Sequence, residues 1–154
     1  MAILCDNFEV FTALLLTNVV STLYMTGVIW FVQLVHYPLF NLVGEDNFVR
    51  YEALHNTHTG VVVAPAMLAE LGSSLLLVIL SSDIPRWQTV TGLILTLGLW
   101  LSTWLLQVPQ HTILTAGFDA NAHSYLVNSN WLRTILWSLR SALVVWWLLL
   151  RLAD

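Results

Sequence analysis

Four long apolar runs, separated by shorter polar stretches, set the pattern of this chain and predict helices over 10–36, 59–81, 87–109 and 130–151. A bilayer-spanning helix needs about 20 mainly apolar residues, and each run reaches that length while exceeding a buried strand. The first and third runs contain no Asp, Glu, Lys or Arg. The second contains Glu70 alone, and the fourth contains Arg133 near its start, Arg140 at its middle and Arg151 at its end. The expected fold class is all-α, a four-transmembrane-helix bundle forming one integral membrane domain over residues 1–154. Ser81, Ser82, Asp83, Ile84 and Pro85 form a tight turn that makes the second and third helices antiparallel neighbours.

The other two connections are longer and resemble each other. Gly44 and Asp46 in one parallel Gly117 and Asp119 in the other. In each, Gly suits a helix C-terminal cap and Asp the N-cap of the next helix. Trp30 and Gln33 near the end of helix one match Trp104 and Gln107 near the end of helix three. These correspondences point to two tandem helical hairpins. Residues 47–59 form an amphipathic lead-in to helix two, with Phe48, Tyr51, Leu54 and His55 on one side and Tyr51 and Glu52 just ahead of His55. It either covers a cavity mouth or lies on lipid headgroups. Alternating helix direction places all five histidines, His36, His55, His58, His111 and His123, on one face and both termini on the other. His123 falls in a connecting loop and is set aside.

Composition sharpens this picture. The 154 residues are 58% hydrophobic and only 9% charged, against about 25% charged in soluble domains. Lipid must therefore cover most of the surface. Lysine is absent, which removes a retinal Schiff base, a pyridoxal lysine and a phosphate-loop lysine from consideration. The net charge of −4 gives no footprint for nucleic acid. A single cysteine, Cys5, rules out an intrachain disulfide. No basic segment or small-residue cleavage pattern marks the first run as a removable signal, so it reads as a retained helix.

A lone charge at mid-bilayer costs about 2.5–3.5 kcal/mol even on the lenient insertion scale. Glu70 and Arg140 are expected to turn inward and pair, either as a structural ion pair or as a relay beneath a cavity. Asn130, Arg133, Trp137 and Arg140 follow helical spacing and form one inward stripe. Trp100, Thr103, Gln107 and His111 form a second, while Trp30, Gln33 and His36 end helix one. His36 and His111 each adjoin a proline-containing helix end, Pro38 and Pro109, where freed carbonyls border a cavity. His55 and His58 at i, i+3 have spacing that permits metal ligation but lack the Glu of a zinc-protease motif.

The string Gln33–Leu34–Val35–His36–Tyr37–Pro38–Leu39–Phe40 resembles a family of uncharacterised bacterial four-helix integral membrane proteins. So do Pro65, Met67, Leu68 and Glu70, then Gln107, Pro109 and His111, and finally Asn130, Trp131, Arg133 and Thr134. More distantly the chain is similar to anthrone-oxygenase-like membrane proteins, in which a histidine-proline step ends helix one and an asparagine-arginine pair opens the last helix. Here Tyr37 separates His36 from Pro38, a departure from that pattern. The resemblance implies oxygenation of a flat apolar molecule.

Three readings follow. The first is a metal-dependent or cofactor-free oxidoreductase acting on an apolar small molecule. In it His36, His111, Arg133, Glu70 and Arg140 are catalytic, and Gln33, Gln107, Asn130 and Trp137 hold substrate. His36, His55 and His111 would be the ligands of any transition metal. The second is a noncovalent haem-binding electron carrier with two of these histidines as axial ligands. The third is a non-enzymatic subunit or transporter-like module. Arg86 and Arg151 on the terminal face balance Arg50 and Arg133 on the histidine face, so the positive-inside rule is tied. The even helix number places the histidine face on the non-cytoplasmic side.

Overall fold

A computed structural model describes residues 2–81 and 83–153, and places no strand among them. Ser82 of the expected turn and the side chain of Cys5 lie outside the described residues. Helix α1 spans Ala2–Phe31, α2 Glu45–Leu80, α3 Arg86–Ser102, α4 Val108–Leu114 and α5 Ala120–Ala153. Together with the turns that extend them, they give four rods, each long and apolar enough to cross a membrane. Helix α1 packs against α2 and α5, and α3 packs against the same two. The result is a four-helix ring with α1 and α3 on one diagonal.

Three helices begin well before the hydrophobic pattern predicts, α1 at Ala2 rather than 10 among them. Helix α2 starts at Glu45 rather than 59, and α5 at Ala120 rather than 130. The polar lead-ins continue the helix without a break because their starts are well specified. Gly44, at φ 82°, turns the chain into α2, and Glu45 and Asp46 occupy the first turn, where carboxylates favour the helix dipole. Asp46 is thus inside the helix rather than its N-cap. Asp119 does cap α5, its Oδ1 accepting the Ala122 N–H at 2.7 Å. His123, expected in a loop, falls in the opening turns of α5.

Helices one and three end alike. A π-helical segment, Val32–His36, follows α1, and another, Thr103–Gln107, follows α3. The Tyr37 N–H reaches back to the Val32 carbonyl and the Val108 N–H to that of Thr103. Pro38 and Pro109 come next in each case. Lacking an N–H, a proline cannot close the bond to the carbonyl four residues earlier, so the preceding turn widens. Tyr37–Leu42 then winds as a 3₁₀ segment before the Gly44 turn. These wide turns carry Gln33, His36 and Gln107.

Two apolar clusters fill the ring. One, towards the histidine end, contains Met25, Ile29, Phe40, Phe48, Met67, Leu99, Leu126 and Trp137. The other, towards the termini, contains Leu15, Val19, Leu77, Ile84, Val144 and Trp147.

Candidate functional site

At the histidine end, the segments flanking Pro38, the start of α2 and helix α4 converge. Nε2 of His36 lies 2.8 Å from Nδ1 of His55, which also contacts the Thr59 hydroxyl at 3.1 Å. A second chain runs alongside. Glu52 Oε1 lies 2.6 Å from Nδ1 of His111, and the Tyr37 hydroxyl lies 3.0 Å from Nε2 of the same ring. The His55 and His111 rings stack at 5.1 Å, so the two chains touch face to face without sharing a hydrogen bond. Phe40, fully buried, sits among Tyr37, His36, His55, Tyr51 and Phe48. His123 stacks on Phe40, and its Nε2 lies 2.8 Å from the Tyr37 carbonyl.

The three histidines expected to ligate a metal therefore do come together, but as a hydrogen-bonded and stacked cluster. A zinc-like ion holds each ligand nitrogen about 2.0–2.1 Å away, separating the nitrogens by about 3–4 Å. The His36–His55 pair is closer than that, and both nitrogens of His111 are engaged by Glu52 and Tyr37. Among the described residues no group of three or more His, Cys, Asp or Glu side chains is arranged to hold an ion.

Immediately inside this cluster lies an amide layer. Asn130 donates to Gln33 Oε1 at 2.9 Å and accepts from Arg133 at 3.2 Å. Gln107 donates to Ser129 at 2.9 Å. Arg133 interacts with Tyr37 and lies over the Trp137 ring at 5.2 Å. Gln33, Gln107, Asn130 and Trp137, expected to hold substrate, thus bond to one another and to the helices around them. All four stripe residues of α5 are buried, as their spacing implies.

Deeper still, Arg140 Nε lies 3.5 Å from Glu70 Oε1. The carboxylate also accepts from Thr22 at 2.7 Å and from the Trp137 indole at 3.0 Å. Arg140 donates to Asn18, Ser74 and Thr96 at 2.8, 2.6 and 3.0 Å. Every rod of the ring contributes a polar group to this layer. Its Nη1 atom has no partner among the described residues and faces Gly92, where an added Cβ would stand 2.7 Å from it.

One opening reaches the histidine cluster from the side. A groove of about 450 Å³ runs along the outer flank between the α1 rod and α2. Val28, Phe31, Val32, Val62 and Val63 line its length, and His36, His58 and Thr59 supply its polar end. Phe31 stacks on His36 at 6.1 Å. Neither Glu70 nor Arg140 lines this groove.

Glu52 and Tyr37 are not among the site residues expected from the sequence, nor are Asn18, Thr22 and Thr96. Glu52, His55 and Thr59 follow i, i+3, i+7 spacing, which places them on one helix face and was a legible signal. Asn18, Thr22 and Thr96 are short polar side chains inside apolar runs, and nothing local distinguishes them from residues bonded to their own helix.

No protein-family model, curated protein or solved structure matches the chain. Its class is defined by fold and composition. Four membrane-length apolar rods form a helical bundle compatible with a multi-pass integral membrane protein.

Proposed function

We propose that this protein is a membrane-embedded oxidoreductase that takes an apolar small molecule from the bilayer and begins its oxidation by removing a proton. The observation that carries this reading is the flank groove, apolar along its length and ended by His36. A lipid-soluble molecule enters sideways and presents its polar, acidic position to that ring. His36 acts as general base, with its Nε2 held by His55, whose Nδ1 is also contacted by the Thr59 hydroxyl. Gln33, Asn130 and Arg133 hold the end of α1 in place from behind rather than touching substrate.

The chemistry closes without a bound cofactor when the substrate carries an activated methylene. Proton removal leaves an electron pair on carbon, which passes to dissolved dioxygen. One oxygen atom stays as a ketone and the other leaves as water, so one methylene and one dioxygen become one ketone and one water. The haem reading is less favoured, since no iron fits between the His36 and His55 nitrogens 2.8 Å apart and both nitrogens of His111 are engaged by Glu52 and Tyr37. We place the histidine end on the non-cytoplasmic side, with the termini inside.

The test is oxygen uptake by the protein in lipid nanodiscs, with anthrone as the activated-methylene probe. Uptake above the protein-free rate is expected, with His36→Gln lowering it by about 10²–10⁴-fold, the usual weight of a general base. Uptake no faster than in empty nanodiscs, or unchanged by that substitution, overturns the reading.

A further inference from the structure

The Tyr37–His111–Glu52 chain does not open onto the groove, so proton removal from a bound molecule leaves it unused. With Glu52 ionised, its polarity follows from the geometry. The Glu52 carboxylate at 2.6 Å holds the proton of His111 on Nδ1, as carboxylates do for imidazoles they orient. Nε2 of that tautomer is a bare acceptor, so the Tyr37 hydroxyl must be the donor across the 3.0 Å contact. Tyr37 is 4% exposed and Glu52 is fully buried. Water cannot compete for either end. Glu52 Oε2 has no partner among the described residues.

A phenol in this setting can lose an electron only together with its proton, and the acceptor for that proton is already in place. The electron has a separate exit. The His36 ring, which ends the groove, stands 6.3 Å from the Tyr37 ring, centre to centre, and Phe40 and His55 fill the space around them. Electrons tunnel across such a gap while protons cannot.

We infer that Tyr37 is a redox-active residue that gives one electron to an oxidised aromatic molecule in the groove while its proton moves to His111. This rests on the proposed function for the groove occupant, whose anion becomes a phenoxyl-type radical when it passes a first electron to dioxygen, which leaves as superoxide. The occupant gains one electron and becomes the corresponding anion. The Tyr37 proton passes to His111 Nε2, and the Nδ1 proton passes to Glu52. The products are a neutral Tyr37 radical, a neutral His111 and a protonated Glu52, with charge and electrons conserved.

The experiment needs no groove ligand, which separates its failure from failure of the oxygen-uptake test. Protein in nanodiscs, with Tyr24, Tyr51 and Tyr125 replaced by Phe, leaves Tyr37 as the sole tyrosine. It is oxidised by photogenerated tris-bipyridyl ruthenium(III), frozen and read by electron paramagnetic resonance. Ring-deuterated tyrosine separates its spectrum from that of tryptophan. The expected result is a tyrosyl radical that vanishes on adding Tyr37→Phe. Glu52→Gln should cut its yield or lifetime by at least about tenfold, the usual effect of removing the partner that orients a histidine. Circular dichroism checks that each variant is folded. No tyrosyl signal in folded single-tyrosine protein, or a signal indifferent to Glu52→Gln, overturns the inference.

Discussion

The guanidinium of Arg140 stands 3.5 Å from the Glu70 carboxylate, with both side chains buried and ringed by Asn18, Thr22, Ser74, Thr96 and Trp137. Removing one partner of such a pair strands the other charge, typically at a cost of about 3–5 kcal/mol. Glu70→Gln should therefore lower thermal stability in detergent more than the double change Glu70→Leu with Arg140→Met. A double variant no more stable than the single one contradicts this account.

Gly92 gives way to that guanidinium. A methyl group at 92 meets Arg140 Nη1 at 2.7 Å and the Trp147 ring at 2.9 Å. The guanidinium cannot retreat because three hydrogen bonds hold it. Gly92→Ala should destabilise by about 1–3 kcal/mol, the usual cost of overpacking. In an Arg140→Met background the loss should shrink, and a double-mutant cycle by thermal unfolding measures the difference.

Phe40 fixes the spacing of the histidine cluster. Truncation to Ala should cost about 3–5 kcal/mol and loosen the contact between Tyr37 and His111. Histidine ring nitrogen resonances, read by NMR on selectively labelled protein, should then lose the single tautomer that Glu52 imposes on His111. Unchanged nitrogen shifts would show that Phe40 only fills space.

Topology is open to labelling. With Cys5 changed to Ser, single cysteines at the exposed positions Trp87 and Asn121 should react with an impermeant maleimide from opposite sides of the membrane. On the orientation proposed above, position 121 is the one on the non-cytoplasmic side. Both reacting from one side would refute the four-span arrangement.

The all-α bundle was legible in the sequence because four apolar runs of membrane length leave few alternatives. Helix starts were legible only from the capping residues, since the apolar runs themselves begin at 59 and 130. The polar residues 47–59 and 120–129 continue as helix because Gly44 and Asp119 set their starts, an effect local to one or two residues. The Glu70–Arg140 pair was legible because each is a lone charge at matched depth. Its partners Asn18, Thr22 and Thr96 were hidden, since small polar residues in apolar helices most often bond their own backbone. The histidines were found by their clustering on one face. Glu52 was missed as their partner because the lead-in bearing it was read as either a lid or a surface helix, and only its rigid continuation into α2 turns it inward.

Trp137 has one more consequence. Its indole N–H donates to Glu70 and its ring lies beneath Arg133, so it is a direct link between the outer and inner polar layers. An indole nitrogen gives a hydrogen bond but cannot receive one. A proton hopping inward from the histidine end has nowhere to land at Trp137, and Met25, Ile29, Met67 and Leu99 belong to the same apolar cluster. A bundle linked in this way is expected to carry ionisable groups through much of its depth without conducting protons. Vesicles containing it should hold a pH gradient as long as empty ones do, and Trp137→His, which both accepts and donates, is the single change expected to make them leak.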